Sequence, residues 1–200
     1  GNATLRAKSE EALLQIAQRL TEDYNKTQKK EDVAASMVPY YKKAMTLEQL
    51  KEVAAALSSE QAQRAYALSQ TSIQNSTNST EMVLAVMALA AGETPAPLTP
   101  KACTPAYREL AERYFQLLNL KGIIGTIIQN ALPKEEGTDD KMSDFMERYR
   151  TYFTDNIETL MLNIYIGVLS EEDLRILCDI FQKPSGQAAM KAIQYMAEDP

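Results

Sequence analysis

Apolar residues recur along this chain at helical spacing, and no convincing alternating stretch interrupts them. Leu13, Ile16, Ala17, Leu20 and Tyr24 form one stripe, which predicts a first helix over much of residues 8–24. Val33, Met37 and Tyr41 extend a second pattern over about 32–44. Pro39 sits inside it, removing an amide donor and crowding the preceding turn, so a kink or restart is predicted there. Leu47, Leu50, Val53, Ala54 and Leu57 make a third stripe. Residues 70–80 are mostly Ser, Thr, Asn and Gln and read as a polar loop. The apolar run 82–91, closed by Gly92, reads as a buried core helix.

The second half opens with Thr104 as a cap and Pro105 at the first helical position. Tyr107, Leu110, Tyr114, Leu117 and Leu118 share a face, and Gly122 is the expected terminator. A short apolar helix is predicted over 123–132 and a charged loop over 133–140. Ser143 opens a long pattern through Phe145, Tyr149, Tyr152, Ile157, Leu160, Ile164 and Tyr165, with Thr154 as its point of division.

Two of these stretches say nearly the same thing. Laid on each other without a gap, 40–67 and 164–191 match Tyr41 with Tyr165, Glu48 with Glu172, Leu50 with Leu174, Gln63 with Gln187 and Ala65 with Ala189. Both carry a helix start: Thr46 with Gln49 three residues on, and Ser170 with Asp173, each with an apolar residue before the cap and another after it. Both break after about three turns, at Ser58, Ser59 and Glu60 in one and at Lys183, Pro184 and Ser185 in the other. Each copy is therefore predicted to be a helical hairpin.

Composition narrows the class. Only 7 Gly and 8 Pro occur in 200 residues, so helix breakers are sparse, and 45% hydrophobic content supports a substantial core. Four of the prolines, Pro95, Pro97, Pro100 and Pro105, fall within 92–105, which predicts an extended connection. The expected organisation is an N-terminal helical half, 1–91, a proline-rich connection, 92–104, and a C-terminal helical half, 105–200. The whole is an all-α helical bundle built from two related hairpins.

A net charge of −6 and a pI near 4.9 repel phosphate backbones, and the pairs Lys29-Lys30 and Lys42-Lys43 are too short for a nucleic-acid stripe. The longest apolar run is half the roughly 20 residues a bilayer span requires, so no transmembrane helix is expected. With no histidine the familiar nucleophile triads and most zinc sets are excluded, and Cys103 and Cys178 lack metal-ligand spacing. No metal or cofactor is expected. The two thiols pair only if the fold brings them together; for Cys178 a small buried hydrophobe is the favoured reading. The paired acids Glu135-Glu136, Asp139-Asp140 and Glu171-Glu172 read as solvated charge rather than catalytic carboxylates. No catalytic residue is assigned.

The segment 156–191 carries Tyr165, then Leu169-Ser170-Glu171-Glu172-Asp173-Leu174, then Phe181-Gln182-Lys183-Pro184-Ser185-Gly186-Gln187. It resembles the bacterial family catalogued as DUF2059, a domain of unknown function, whose tail shows an aromatic, a capped acidic-plus-leucine helix and a serine-proline-x-glycine turn. Lys183 stands here in place of the serine, with Pro184 and Gly186 kept. The resemblance implies a helical, exported protein, periplasmic or envelope-associated. A chain that begins on Gly1 rather than Met fits the removal of a leader.

The signature turn Lys183, Pro184, Ser185 and Gly186 reads as structural: proline starts a helix and glycine permits close approach. Tyr41 and Tyr165 are candidate surface or pocket aromatics, with packing the favoured role. Function is expected to be non-catalytic binding of another protein or an envelope component through a groove between the two halves, with an exposed apolar or aromatic patch near the repeat junction. The alternative is a carrier of a small apolar ligand or lipid, held in a cavity between the helices at 82–91 and 123–132.

Overall fold

A computed structural model describes residues 30–76, 79–131 and 140–199. The helix predicted over 8–24, and the charged loop up to residue 139, lie outside them. The described residues form an all-α helical bundle: α1 (Lys30–Ala44), α2 (Leu47–Ala56), α3 (Glu60–Ser76), α4 (Thr80–Ala90), α5 (Pro105–Leu118), α6 (Leu120–Ala131), α7 (Asp140–Val168), α8 (Glu171–Phe181) and α9 (Pro184–Glu198). The chain divides into two compact units, residues 1–39 and 40–200. Of the first, only the opening of α1 is described.

Local chemistry sets the helix starts. Thr46 Oγ1 accepts the Gln49 amide while Gln49 Oε1 accepts the Thr46 amide, and Ser170 and Asp173 exchange the same pair of bonds. Ser79 and Thr104 cap α4 and α5 by accepting the amides of Met82 and Tyr107. Ser59 caps α3 through the Ala62 amide at 3.2 Å.

The helix ends depart from several expectations. Helix α1 runs through Pro39 without a restart. Helix α5 ends three residues before Gly122, at Asn119, which adopts the left-handed conformation (φ 50°, ψ 46°). Asn tolerates that region, so glycine was not needed, and Gly122 lies inside α6. Helix α7 is continuous for 29 residues, and Thr154 does not divide it. The polar stretch after Gln70 is not a loop as far as Ser76. It continues α3, with Ser72 and Ser76 donating their hydroxyls back to the carbonyls of Leu68 and Ile73 at 2.7 Å each. Serine can hide in a helix this way because its hydroxyl finds a partner within one turn.

Helix α7 is the central element of the 40–200 unit, with α3, α4, α5 and α6 packed on it. Helix α8 packs on α5, α3 and α9, and α2 packs on α9. Ala62, Ala65 and Met82 enter the same apolar core as Tyr114, Phe115, Phe153, Met161, Tyr165, Leu174 and Phe181, so residues on both sides of the proline-rich connection share one core. Each large side chain buried there contributes about 1.5–3 kcal/mol. Helix α4 is half-buried rather than enclosed: Met82, Ala85 and Leu89 face the core, and Leu84 is half exposed.

The proline-rich connection is extended from Glu93 to Thr104 and is strapped along α7. Arg148 donates to the Glu93 carbonyl, Tyr152 to Ala96, and Asn163 to Thr99, at 2.6, 2.9 and 3.0 Å. Asn156 and Asn163 accept the amides of Leu98 and Lys101 at 2.8 and 2.7 Å. A strap with no secondary structure of its own is thus satisfied by one stripe of side chains on its neighbour.

Candidate functional site

The signature turn is built by close approach. Lys183 has extended backbone (φ −71°, ψ 154°) and offers no side-chain cap, and Pro184 opens α9 behind it. Ser185 and Gly186 are buried. A Cβ on Gly186 would overlap the Ile180 carbonyl oxygen and come within 2.6 Å of Phe181 Cα. Both are backbone atoms of the last turn of α8 and cannot move aside. Gln187 Nε2 then donates to the Phe181 carbonyl at 2.6 Å, closing the α8–α9 corner. None of Lys183, Pro184, Ser185 and Gly186 lines the grooves of about 400, 390 and 220 Å³ on this unit. The turn serves the corner.

Tyr165 is fully buried and Tyr41 half-buried. The Tyr165 hydroxyl lies 3.0 Å from Ser69 Oγ, and the same oxygen is 2.9 Å from the hydroxyl of Tyr114, also fully buried. Three hydroxyls from α3, α5 and α7 thus satisfy one another inside the core. Burial pushes the Tyr114 and Tyr165 phenols well above their ordinary value, only partly offset by the bond from Ser69. Tilted rings pack around them: Phe115 lies 5.6 Å from Tyr165 and Phe181 6.1 Å from Tyr114 between centroids. Tyr107, held at about 12 chiefly by burial, donates to the Leu169 carbonyl at 3.1 Å. These tyrosines pack and cross-link elements, and Tyr165 faces no groove.

Asp173 is the one buried carboxylate among the described residues. Burial pushes its pKa up, but two hydrogen bonds from Ser170 and the Arg64 guanidinium at 2.7 Å outweigh that and hold it below the usual aspartate value. Its oxygens are engaged by Ser170 and Arg64, so the carboxylate is held in place as a structural link between α8 and α3. Glu171 and Glu172 both bind Arg175 at the exposed start of α8. Lys43 stands 3.9 Å over the Tyr195 ring, which explains one of the paired lysines as a surface cation–π contact. Both cysteines are free, and Cys178 is buried, its thiol 3.4 Å from the Leu110 carbonyl and pushed up to about 11 by burial. Among the described residues no group of three or more potential ligands could hold a metal, and no helix is long and apolar enough to cross a membrane.

Two surfaces bear on the expected binding roles. The first is an open groove of about 400 Å³ between the end of α4, the strap and α7, walled by Leu89, Pro95, Pro97 and Tyr152. The cavity expected between α4 and α6 is a different place: this groove takes Leu89 from α4 and nothing from α6. The second is the outer face of α2, where Leu47 is 64% and Leu50 42% exposed. Sequence reading expected these two leucines on the buried stripe of an amphipathic helix, but only Val53 of α2 is buried. It also missed Arg64, Ser69, Asn156 and Asn163. The one legible signal was the spacing of Arg148, Tyr152 and Asn156, four residues apart along one face of α7. Compared with protein-family models, with curated proteins and with solved structures, the chain finds no match in any of the three.

Proposed function

We propose that this chain is an exported, non-catalytic protein-interaction module of the bacterial periplasm or envelope. The observation that carries the reading is the solvent-facing pair Leu47 and Leu50 on α2. Single exposed leucines are ordinary on protein surfaces. Here two stand one turn apart on a helix whose start is secured by a full capping box, so the pair is presented on one helical face. The absence of histidine and the full satisfaction of Asp173 support a binding role over catalysis. Export rests on the DUF2059-like segment at 156–191.

The test is site-specific photo-crosslinking from position 47 in the living source organism, with fractionation of the cells. A single protein adduct in the envelope fraction that is lost with Leu50→Glu supports the reading. Only bare monomer, or the protein confined to the cytoplasm, overturns it.

A carrier of a small apolar ligand is the second reading, favoured by the groove at Leu89, Pro95, Pro97 and Tyr152, whose volume of about 400 Å³ suits a small molecule. Native mass spectrometry of protein isolated gently from its source decides between the two. A reproducible excess mass of a few hundred daltons would move the weight to the carrier.

A further inference from the structure

The groove between the strap and α7 takes its apolar walls from three directions: Leu89 at the end of α4, Pro95 and Pro97 of the strap, and the Tyr152 ring on α7. Those walls are held in place before any ligand arrives. Arg148, Tyr152 and Asn156, each one turn apart on α7, bond the strap backbone at Glu93, Ala96 and Leu98, and the proline rings fix the φ angles between. A ligand entering the groove does not have to order the strap. The charges in the lining are not all engaged in this way. Glu147 is held by Arg150, and Arg148 by the Glu93 carbonyl with Asp144 at 3.9 Å. Asp155, exposed on α7, has neither a hydrogen bond nor an ion pair with any described residue, and the Thr151 hydroxyl one turn before it has no such bond either. The uncompensated charge of the groove is therefore one carboxylate, set beside an apolar surface.

Resting on the carrier reading of this groove, we infer that it binds a small protonated amine, with the apolar body against Leu89, Pro95 and Pro97 and the ammonium on the Asp155 carboxylate. The carboxylate and the Thr151 hydroxyl both accept hydrogen bonds, and a primary ammonium has N–H donors for each. The groove is open, so the remaining N–H stays in water and the cation keeps part of its hydration. A carboxylate or phosphate ligand would meet Asp155 as a like charge and be turned away. A quaternary ammonium has no N–H to give and is held instead by a cage of aromatic faces; Tyr152 is the single aromatic ring in this lining.

The test is a protein NMR titration of the full chain with hexylamine, hexanol and hexanoate, which share one body and differ in the head group. Hexylamine should give saturable shifts in the amides of the strap and of the facing part of α7, and hexanol should bind at least about tenfold more weakly, the worth of one charge-assisted hydrogen bond. Asp155→Asn should lower the hexylamine affinity by about the same factor and leave hexanol unchanged. Asp155 is exposed and bonds to no described residue, so this variant keeps the fold. The chain carries a net charge of −6, and Glu52→Gln, at another exposed acid, on α2, controls for general attraction of cations and should change nothing. No saturable shift with hexylamine, or an affinity indifferent to Asp155→Asn, overturns the inference. If hexanol or hexanoate binds as well as hexylamine, the amine class falls while the carrier reading stands. If hexylamine binds as expected but protein isolated gently from its source carries no bound mass, the carrier reading falls and the amine site stands.

Discussion

Arg64 donates to Asp173 at 2.7 Å, tying the third turn-opening residue of α8 to α3 across the core boundary. Asp173 thereby does two tasks: it closes the capping box with Ser170 and it anchors one hairpin to the other. Its folded-state pKa is depressed, so it contributes stability that is present above the unfolded aspartate value, about 3.9, and lost as pH falls through the lower folded value. Asp173→Asn is expected to cost about 1–2 kcal/mol at neutral pH. In urea melts across pH 2–7, the variant and the parent protein should converge at the acid end; a constant gap would contradict the assignment.

Gly186→Ala tests the α8–α9 corner. Helix propensity alone favours alanine by about 1 kcal/mol. The Cβ would instead strike the Ile180 carbonyl oxygen and Phe181 Cα, and overpacking of this kind costs about 1–3 kcal/mol or more. We expect net destabilisation in chemical denaturation. Ala62, in the same register on α3, is already buried, so Ala62→Gly should cost about 1 kcal/mol in the other direction.

Ser69→Ala removes the shared partner of Tyr114 and Tyr165. Orphaning buried hydroxyls costs about 1–3 kcal/mol each. Adding Tyr114→Phe and Tyr165→Phe removes the orphans, so the triple variant should regain part of the loss. A mutant cycle by thermal or urea unfolding measures this, and strict additivity would show that the three hydroxyls are not coupled.

Alkaline unfolding should be governed by the buried tyrosines. Tyr66 and Tyr107 are raised to about 12, each chiefly by burial, and Tyr114 and Tyr165 are raised as well. A phenol raised in the folded state contributes stability that is intact below the unfolded value near 10 and is lost as pH rises from there through the folded value. Absorbance at 295 nm should therefore show an early reversible phase from exposed tyrosines and a later one coincident with loss of helix by circular dichroism.

Thiol labelling should distinguish the two cysteines. Cys178 is buried and its thiolate disfavoured, so maleimide reaches it only when the bundle opens, whereas half-buried Cys103 reacts first. Equal rates in native buffer would mean that the α5–α8 contact opens freely.

What the chain decided by itself are the features made within a few residues. The caps at Thr46, Ser170 and Thr104, the proline starts at Pro105 and Pro184, and the extended course of the proline-rich strap each depend on dihedral preference and on hydrogen bonds that reach three or four positions. The all-α class follows from those and from the 3.6-residue period. Leu50 and Leu174 show where that logic stops. They stand in the same register of similar helices, yet one is exposed and the other buried, because burial depends on whether another helix lies across that face. The same holds for the serines of α3, for Arg64 and for Asn156 and Asn163: each is a polar residue whose partner is either a backbone carbonyl in its own helix or a group far away in the chain. Tertiary packing chose those partners, and with them which surface was left open to meet another molecule.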